Sequence, residues 1–151
     1  MRAVIQKVTE ASVTVDGEIV GQIGDGLLVL LGIKPDDTEK DIDYIIDKIT
    51  NVRIFRDDED KMNLSVSDVG GGLLIVSQFT LYADARKGRR PSFDRAAGKD
   101  ISLPLYERFL EKLSAVYDKN KIQTGKFAAM MDVALHNDGP CTILLDSERG
   151  F

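Results

Sequence analysis

Apolar and polar residues alternate from the start of the chain. Val13 and Val15 are interleaved with Ser12 and Thr14, the period of two expected of a half-buried strand. Asp16 and Gly17 then offer two positive-φ positions for a tight hairpin, and the chain returns over residues 19–23. Gly24, Asp25 and Gly26 turn it again into "LLVLLGI", a continuous apolar run that reads as a strand buried on both faces. Beyond Pro35 the period lengthens. Thr38 followed by Asp41 predicts a capping box, and Ile42, Ile45, Ile46 and Ile49 form one helical stripe. Residues 52–55 read as a strand, "RDDEDK" as an acidic turn, and Gly70, Gly71 and Gly72 as a turn into a strand over 73–76. A second helix is predicted from near Ser102, with Pro104 in its first turn and Tyr106, Phe109, Leu110, Leu113 and Tyr117 on its buried side; residues 119–121 end it. Phe127, Ala129, Met131, Val133, Leu135 and Asn137 then share one face of an alternating segment, and a hairpin turn at 137–140 leads into a strand over 142–145.

Many strands with two amphipathic helices predict an α+β fold: a curved antiparallel or mixed β-sheet, or an open β-barrel, with the two main helices packed on one side. A length of 151 residues, 43% of them hydrophobic, suits a single domain over 1–151 with a substantial core. The lone Cys141 has no partner for a disulfide, and no other thiol is present to build a zinc site, so a reducing, cytoplasmic setting fits. The alternating N-terminus does not resemble a signal peptide, and no apolar run approaches the ~18 residues that span a bilayer, so neither membrane nor metal nor other cofactor is expected. "RDDEDK" lacks the glycine and the terminal glutamate of a calcium loop. A net charge of −5 argues against broad binding to DNA or RNA. The exception is "ARKGRRPSFDR", where Arg86, Lys87, Arg89, Arg90 and Arg95 make a local basic patch, either a solvated loop or a grip on one end of an RNA.

Catalytic side chains are few: one histidine, one cysteine, and no HExxH, CxxC or Gly-x-Ser-x-Gly pattern. Two segments stand out. "SQFTLYAD" ends an apolar strand with Ser77, Gln78, Phe79 and Thr80, setting hydroxyls, an amide and main-chain N–H groups at a sheet rim where a developing oxyanion can be held. The bland alternative is a polar strand end with Thr80 bonded to its own backbone. "NDGPCT" places Pro140 after Gly139, in a turn that Asp138 and Gly139 would complete unaided; an X–Pro bond is the one that adopts cis at modest cost. His136 and Cys141 flank this turn and leave open a Cys–His thiol hydrolase.

The two segments, with "KGRRPSF", "TGKFAAMMDVALHNDGPCT", "MRAVIQKVTEASVTVDGE", "IGDGLLVLLGI", "RIF" and "KMNLSV" in the same order, resemble the D-aminoacyl-tRNA deacylase family along nearly the whole chain. The resemblance implies a homodimer that hydrolyses the ester of D-aminoacyl-tRNA. A cis Gly139–Pro140 motif reaches into the partner's active site and rejects L-amino acids, over a floor of Ser77, Gln78, Phe79 and Thr80. Glycyl-tRNA, having no side chain to exclude, is an implied second substrate. Catalysis leans on the RNA's own 2′-hydroxyl and on main-chain donors, with the role of the Thr80 side chain open. Phe127 and Met131, on the same side as the candidate substrate contact Asn137, are the candidate platform for the terminal adenine, equally readable as core, and Arg86, Lys87, Arg89 and Arg90 are candidate contacts for acceptor-stem phosphates. A non-catalytic dimer that binds tRNA ends is the remaining alternative.

Overall fold

A computed structural model describes residues 1–151. The elements in order are β1 (Arg2–Val15), β2 (Glu18–Ile23), β3 (Gly26–Gly32), α1 (Glu39–Asn51), β4 (Phe55–Arg56), β5 (Met62–Leu64), α2 (Val66–Val69), β6 (Gly72–Ser77), α3 (Lys99–Val116), β7 (Ile122–Thr124) and β8 (Asp132–Asp146). One sheet runs β2-β1-β3-β6-β7, with β8 paired along nearly all of β1. The pairs β3–β6 and β6–β7 are parallel and the others antiparallel, so the mixed sheet predicted from the pattern is the one formed. The sheet curls until β7 returns to β2: a Cβ on Gly21 would lie 2.4 Å from the Thr124 carbonyl oxygen, an approach that only glycine permits. The result is a nearly closed barrel with α1 and α3 packed together on one side.

Alternation along the strands divides the core in two. Leu27, Val29 and Leu31 of β3, with Leu73 and Ile75 of β6, face Ile42, Ile45 and Ile49 of α1 and Phe109 and Leu113 of α3. Leu28, Leu74 and Val76 point the other way and meet Val8, Ala11 and Val13 of β1. Asp16 and Gly17 take the positive φ values expected of the first hairpin, 51° and 80°. Asp41 accepts from the Thr38 N–H at 2.7 Å and so caps α1.

Four local expectations are corrected. The strand expected over 52–55 shrinks to Phe55–Arg56, which pairs with β5 in a small hairpin outside the main sheet. The second helix begins at Lys99 and not near Ser102, which moves Pro104 into its interior; the main-chain bond that proline forgoes falls at an exposed position. Residues 125–131 form a turn with Ala128 at φ 59°, so the strand of the last third starts only at Asp132. The expected hairpin at 137–140 is a bulge: Gln6 faces Thr142 and Val8 faces Asn137, so β8 continues along β1 on both sides of it.

The N-terminus is tied into this frame. The Met1 ammonium is fully buried and donates to Asp37 and, at 2.7 Å, to the Ser147 hydroxyl. Asp37 also accepts from the Lys34 N–H at 2.9 Å. Replacing Asp37 by alanine strands a buried cation, and Asp37→Ala is expected to lower unfolding stability by about 3 kcal/mol, read as a shift in the urea midpoint.

Candidate active site

The parallel strand β6 ends at Ser77, and the Gln78 N–H donates to the Leu31 carbonyl at 2.7 Å, holding the next residues against β3. A single 3-10 turn follows over Phe79–Tyr82. Its first bond runs from the Leu81 N–H to the Gln78 carbonyl, so the N–H groups of Phe79 and Thr80 have no acceptor inside the turn. Gly32 lies directly beneath: an added Cβ would stand 2.9 Å from Leu81 Cβ and 3.1 Å from the Gln78 oxygen. Arg2 braces the far side, donating to the Leu81 carbonyl at 3.1 Å and to Asp146 at 3.2 Å, with its guanidinium 4.8 Å from the centre of the Tyr82 ring. Burial beside Asp37 and Asp146 pushes the Tyr82 phenol well above its ordinary range, so it stays neutral.

This turn edges a cleft of about 560 Å³. Ser77, Gln78, Phe79 and Thr80 line it together with Phe127 and Met131, which brings six of the sequence-predicted residues to one place. Its wall also contains Ile33, Ala97, Lys99, Ser102, Ala128 and Met130, none of them a site candidate from the sequence. The late helix start predicted from Pro104 left Lys99 outside the helix, whereas Ala128 and Met130 belong to a turn that was read as strand. No aspartate, glutamate or histidine lines the cleft. The Gln78 amide donates to the Thr80 hydroxyl, and that hydroxyl has no titratable base beside it.

Gly139 and Pro140 do not line this cleft. They form the exposed tip of the bulge in β8, with Gly139 at φ 122° and a cis peptide bond to Pro140. Asn137 does not line the cleft of its own chain and closes the neck of the bulge. With its amide oriented to satisfy every neighbour, it donates to the Lys7 and Cys141 carbonyls at 3.0 Å and accepts from Thr142 at 3.1 Å. Lys7 and Asp138 add an ion pair at 2.8 Å. The bulge is therefore fixed at its base and free at its tip.

The basic segment is a loop closed by the Asp84–Ser92 bridge and joined to the cleft by an edge-to-face contact of Phe93 with Phe79, ring centres 5.1 Å apart. Arg86 is engaged with Asp84 at 2.9 Å, and its guanidinium holds that carboxyl well below the usual range. Lys87, Arg89 and Arg90 are exposed, without ion pairs, and do not line the cleft. The Cys–His pair is not assembled: His136 is 74% exposed and faces Glu10 at 3.2 Å, whereas Cys141 is buried in the helix-side core. Cys141→Ala is expected to keep full catalytic turnover and to lose about 1 kcal/mol of stability; abolished turnover in a folded variant would restore the thiol mechanism.

A mixed β-barrel carries a cleft that is floored by a main-chain turn and lined by no aspartate, glutamate or histidine. Such a cleft can position a substrate and offer it main-chain N–H donors, which suits an enzyme that needs little acid–base help from side chains. The comparisons identify the family. A family model described as D-Tyr-tRNA(Tyr) deacylase matches residues 4–146. The D-aminoacyl-tRNA deacylase of Kosmotoga olearia is 57% identical over 151 residues, and that of Clostridioides difficile 58% over 152, each over 100% of both chains. A solved structure described as a c-Myc DNA unwinding element binding protein has a TM-score of 0.93 at 45% identity, covering 97% of this chain and 98% of that one. Another, described as a probable eukaryotic D-amino acid tRNA deacylase, has a TM-score of 0.81 at 19% identity over 95% and 97%, and bears on the fold alone. The chain belongs to the D-Tyr-tRNA(Tyr) deacylase family and is thereby a hydrolase.

Proposed function

We propose that this protein hydrolyses the ester of D-aminoacyl-tRNA in the cytoplasm and spares the L-form through main-chain geometry. The observation that carries the reading is a cleft without aspartate, glutamate or histidine whose floor, Ser77 to Thr80, is held against β3 by main-chain bonds. Water adds to the ester carbonyl, and the resulting oxyanion is held by the N–H groups of Phe79 and Thr80. The carbon–oxygen bond to the ribose then breaks, and the departing 3′-oxygen takes a proton, with the neighbouring 2′-hydroxyl of the RNA as the proton relay. An aminoacyl ester is activated enough for positioning and oxyanion stabilisation to suffice. Thr80 orients Gln78 and the turn.

Chiral selection in this reading belongs to Gly139 and Pro140 of a second copy of the chain. An exposed tip on a pinned base suits insertion into a partner's cleft, where fixed main-chain oxygens exclude an L side chain. Glycine presents nothing to exclude, so glycyl-tRNA is cleaved as well. Phe127 and Met131 carry the terminal adenine, and Lys87, Arg89 and Arg90 meet acceptor-stem phosphates, with Arg86 shaping the loop through Asp84.

The test is incubation of the protein with D-tyrosyl-, L-tyrosyl- and glycyl-tRNA. Loss of ester from the D and glycyl forms alone supports the proposal. Equal loss from all three means an unselective hydrolase, and retention of ester on bound tRNA means a non-catalytic binding module.

A further inference from the structure

Lys99 is the one charged side chain in the wall of the cleft. The chain as a whole carries 25 acidic residues against 20 Lys and Arg, yet no carboxylate faces the cleft and none pairs with Lys99. The ion pairs of α3 lie further along, where Arg108 and Lys112 meet Glu39 and Asp43. Lys99 is exposed to solvent at the start of α3 and brings the one formal charge to a lining that is otherwise neutral and mostly apolar. Ser102, one turn along the helix, does not share that role, since its hydroxyl donates to the Gly98 carbonyl at 2.9 Å.

The substrate class carries charges of both signs. Its aminoacyl end is a cation through the α-ammonium, and its nucleotide end is an anion through the phosphodiesters. Lys99 repels the first and attracts the second. We infer that Lys99 binds the phosphodiester immediately 5′ of the terminal adenosine, and so fixes the direction in which the 3′ end enters, with the aminoacyl group pointing away from the start of α3. The inference rests on the deacylase reading above. The position of Phe127 agrees with this direction: its ring packs on Tyr106 of α3 with centres 5.3 Å apart, so the base platform and the phosphate site share one wall.

The experiment uses two D-tyrosyl esters, one of adenosine, which has no phosphate, and one of the trinucleotide CCA. Wild-type protein is expected to prefer the trinucleotide ester, with kcat/KM falling as salt rises. In Lys99→Gln the ratio of kcat/KM between the two esters falls about three- to five-fold, through KM. The slope of log kcat/KM against log salt becomes shallower by about 0.7, one phosphate contact on a single strand. Lys99→Arg recovers both. A Lys99→Gln protein with the wild-type ratio and slope overturns the inference alone. A wild type that cleaves neither ester overturns the deacylase reading, and the inference with it.

Discussion

Gly32→Ala is expected to lower kcat/KM for D-tyrosyl-tRNA on the order of 100-fold in a protein that still folds. The new methyl group meets Leu81 Cβ at 2.9 Å and the Gln78 oxygen at 3.1 Å, so the turn must lift away from β3. Neither contact is with the free end of a long side chain, which leaves no inexpensive way to yield. Overpacking of this kind costs roughly 1–3 kcal/mol, a tolerable loss for a domain of this size. Catalysis is less forgiving, because the proposed oxyanion donors are main-chain groups whose placement depends on that turn, and an ångström of displacement forfeits most of their benefit. Steady-state hydrolysis beside a thermal melt separates the two effects. Wild-type kcat/KM in Gly32→Ala would show that the Phe79–Tyr82 turn is not where the chemistry happens.

The parts of the fold visible in the sequence are those specified by local rules. The Asp16–Gly17 hairpin follows from turn chemistry and the α1 stripe from its period, and both formed as expected. Two of the misread parts share a cause: a local signal overridden by a long-range partner. Asp138 and Gly139 spell a hairpin, but β1 is long enough to pair with the chain on both sides of them, so the turn became a bulge. Pro104 spells a helix start, yet Tyr106, Phe109 and Leu113 pack firmly enough to carry α3 five residues upstream of the proline. The cleft shows the same division. Ser77 to Thr80 was legible because unusual residues follow an apolar strand. Lys99 was not, since an exposed lysine signals nothing until the fold sets it in an otherwise uncharged wall. Residue order likewise says nothing about separation in space: "SQFTL" and "NDGPCT" read as two halves of one site, and in the single chain Gly139 and Pro140 lie outside the cleft.

That separation yields the second large effect. Gly139→Ala is expected to lower the D-to-L ratio of kcat/KM for tyrosyl-tRNA about 10- to 100-fold. At φ 122° an L residue is strained, and the added Cβ would stand 3.2 Å from the Cys141 nitrogen, so the tip must change shape. The neck, held by Asn137 and by the Lys7–Asp138 pair, stays in place, which confines the change to the tip and leaves the protomer's own cleft intact. In the proposed dimer, Gly139→Ala on one chain and Gly32→Ala on the other test where the tip acts. If the tip serves the partner, the undisturbed cleft of the first chain receives the undisturbed tip of the second, and one site recovers both speed and selectivity. If the tip serves its own cleft, one chain is unselective and the other slow, and no mixture of the two recovers wild-type discrimination.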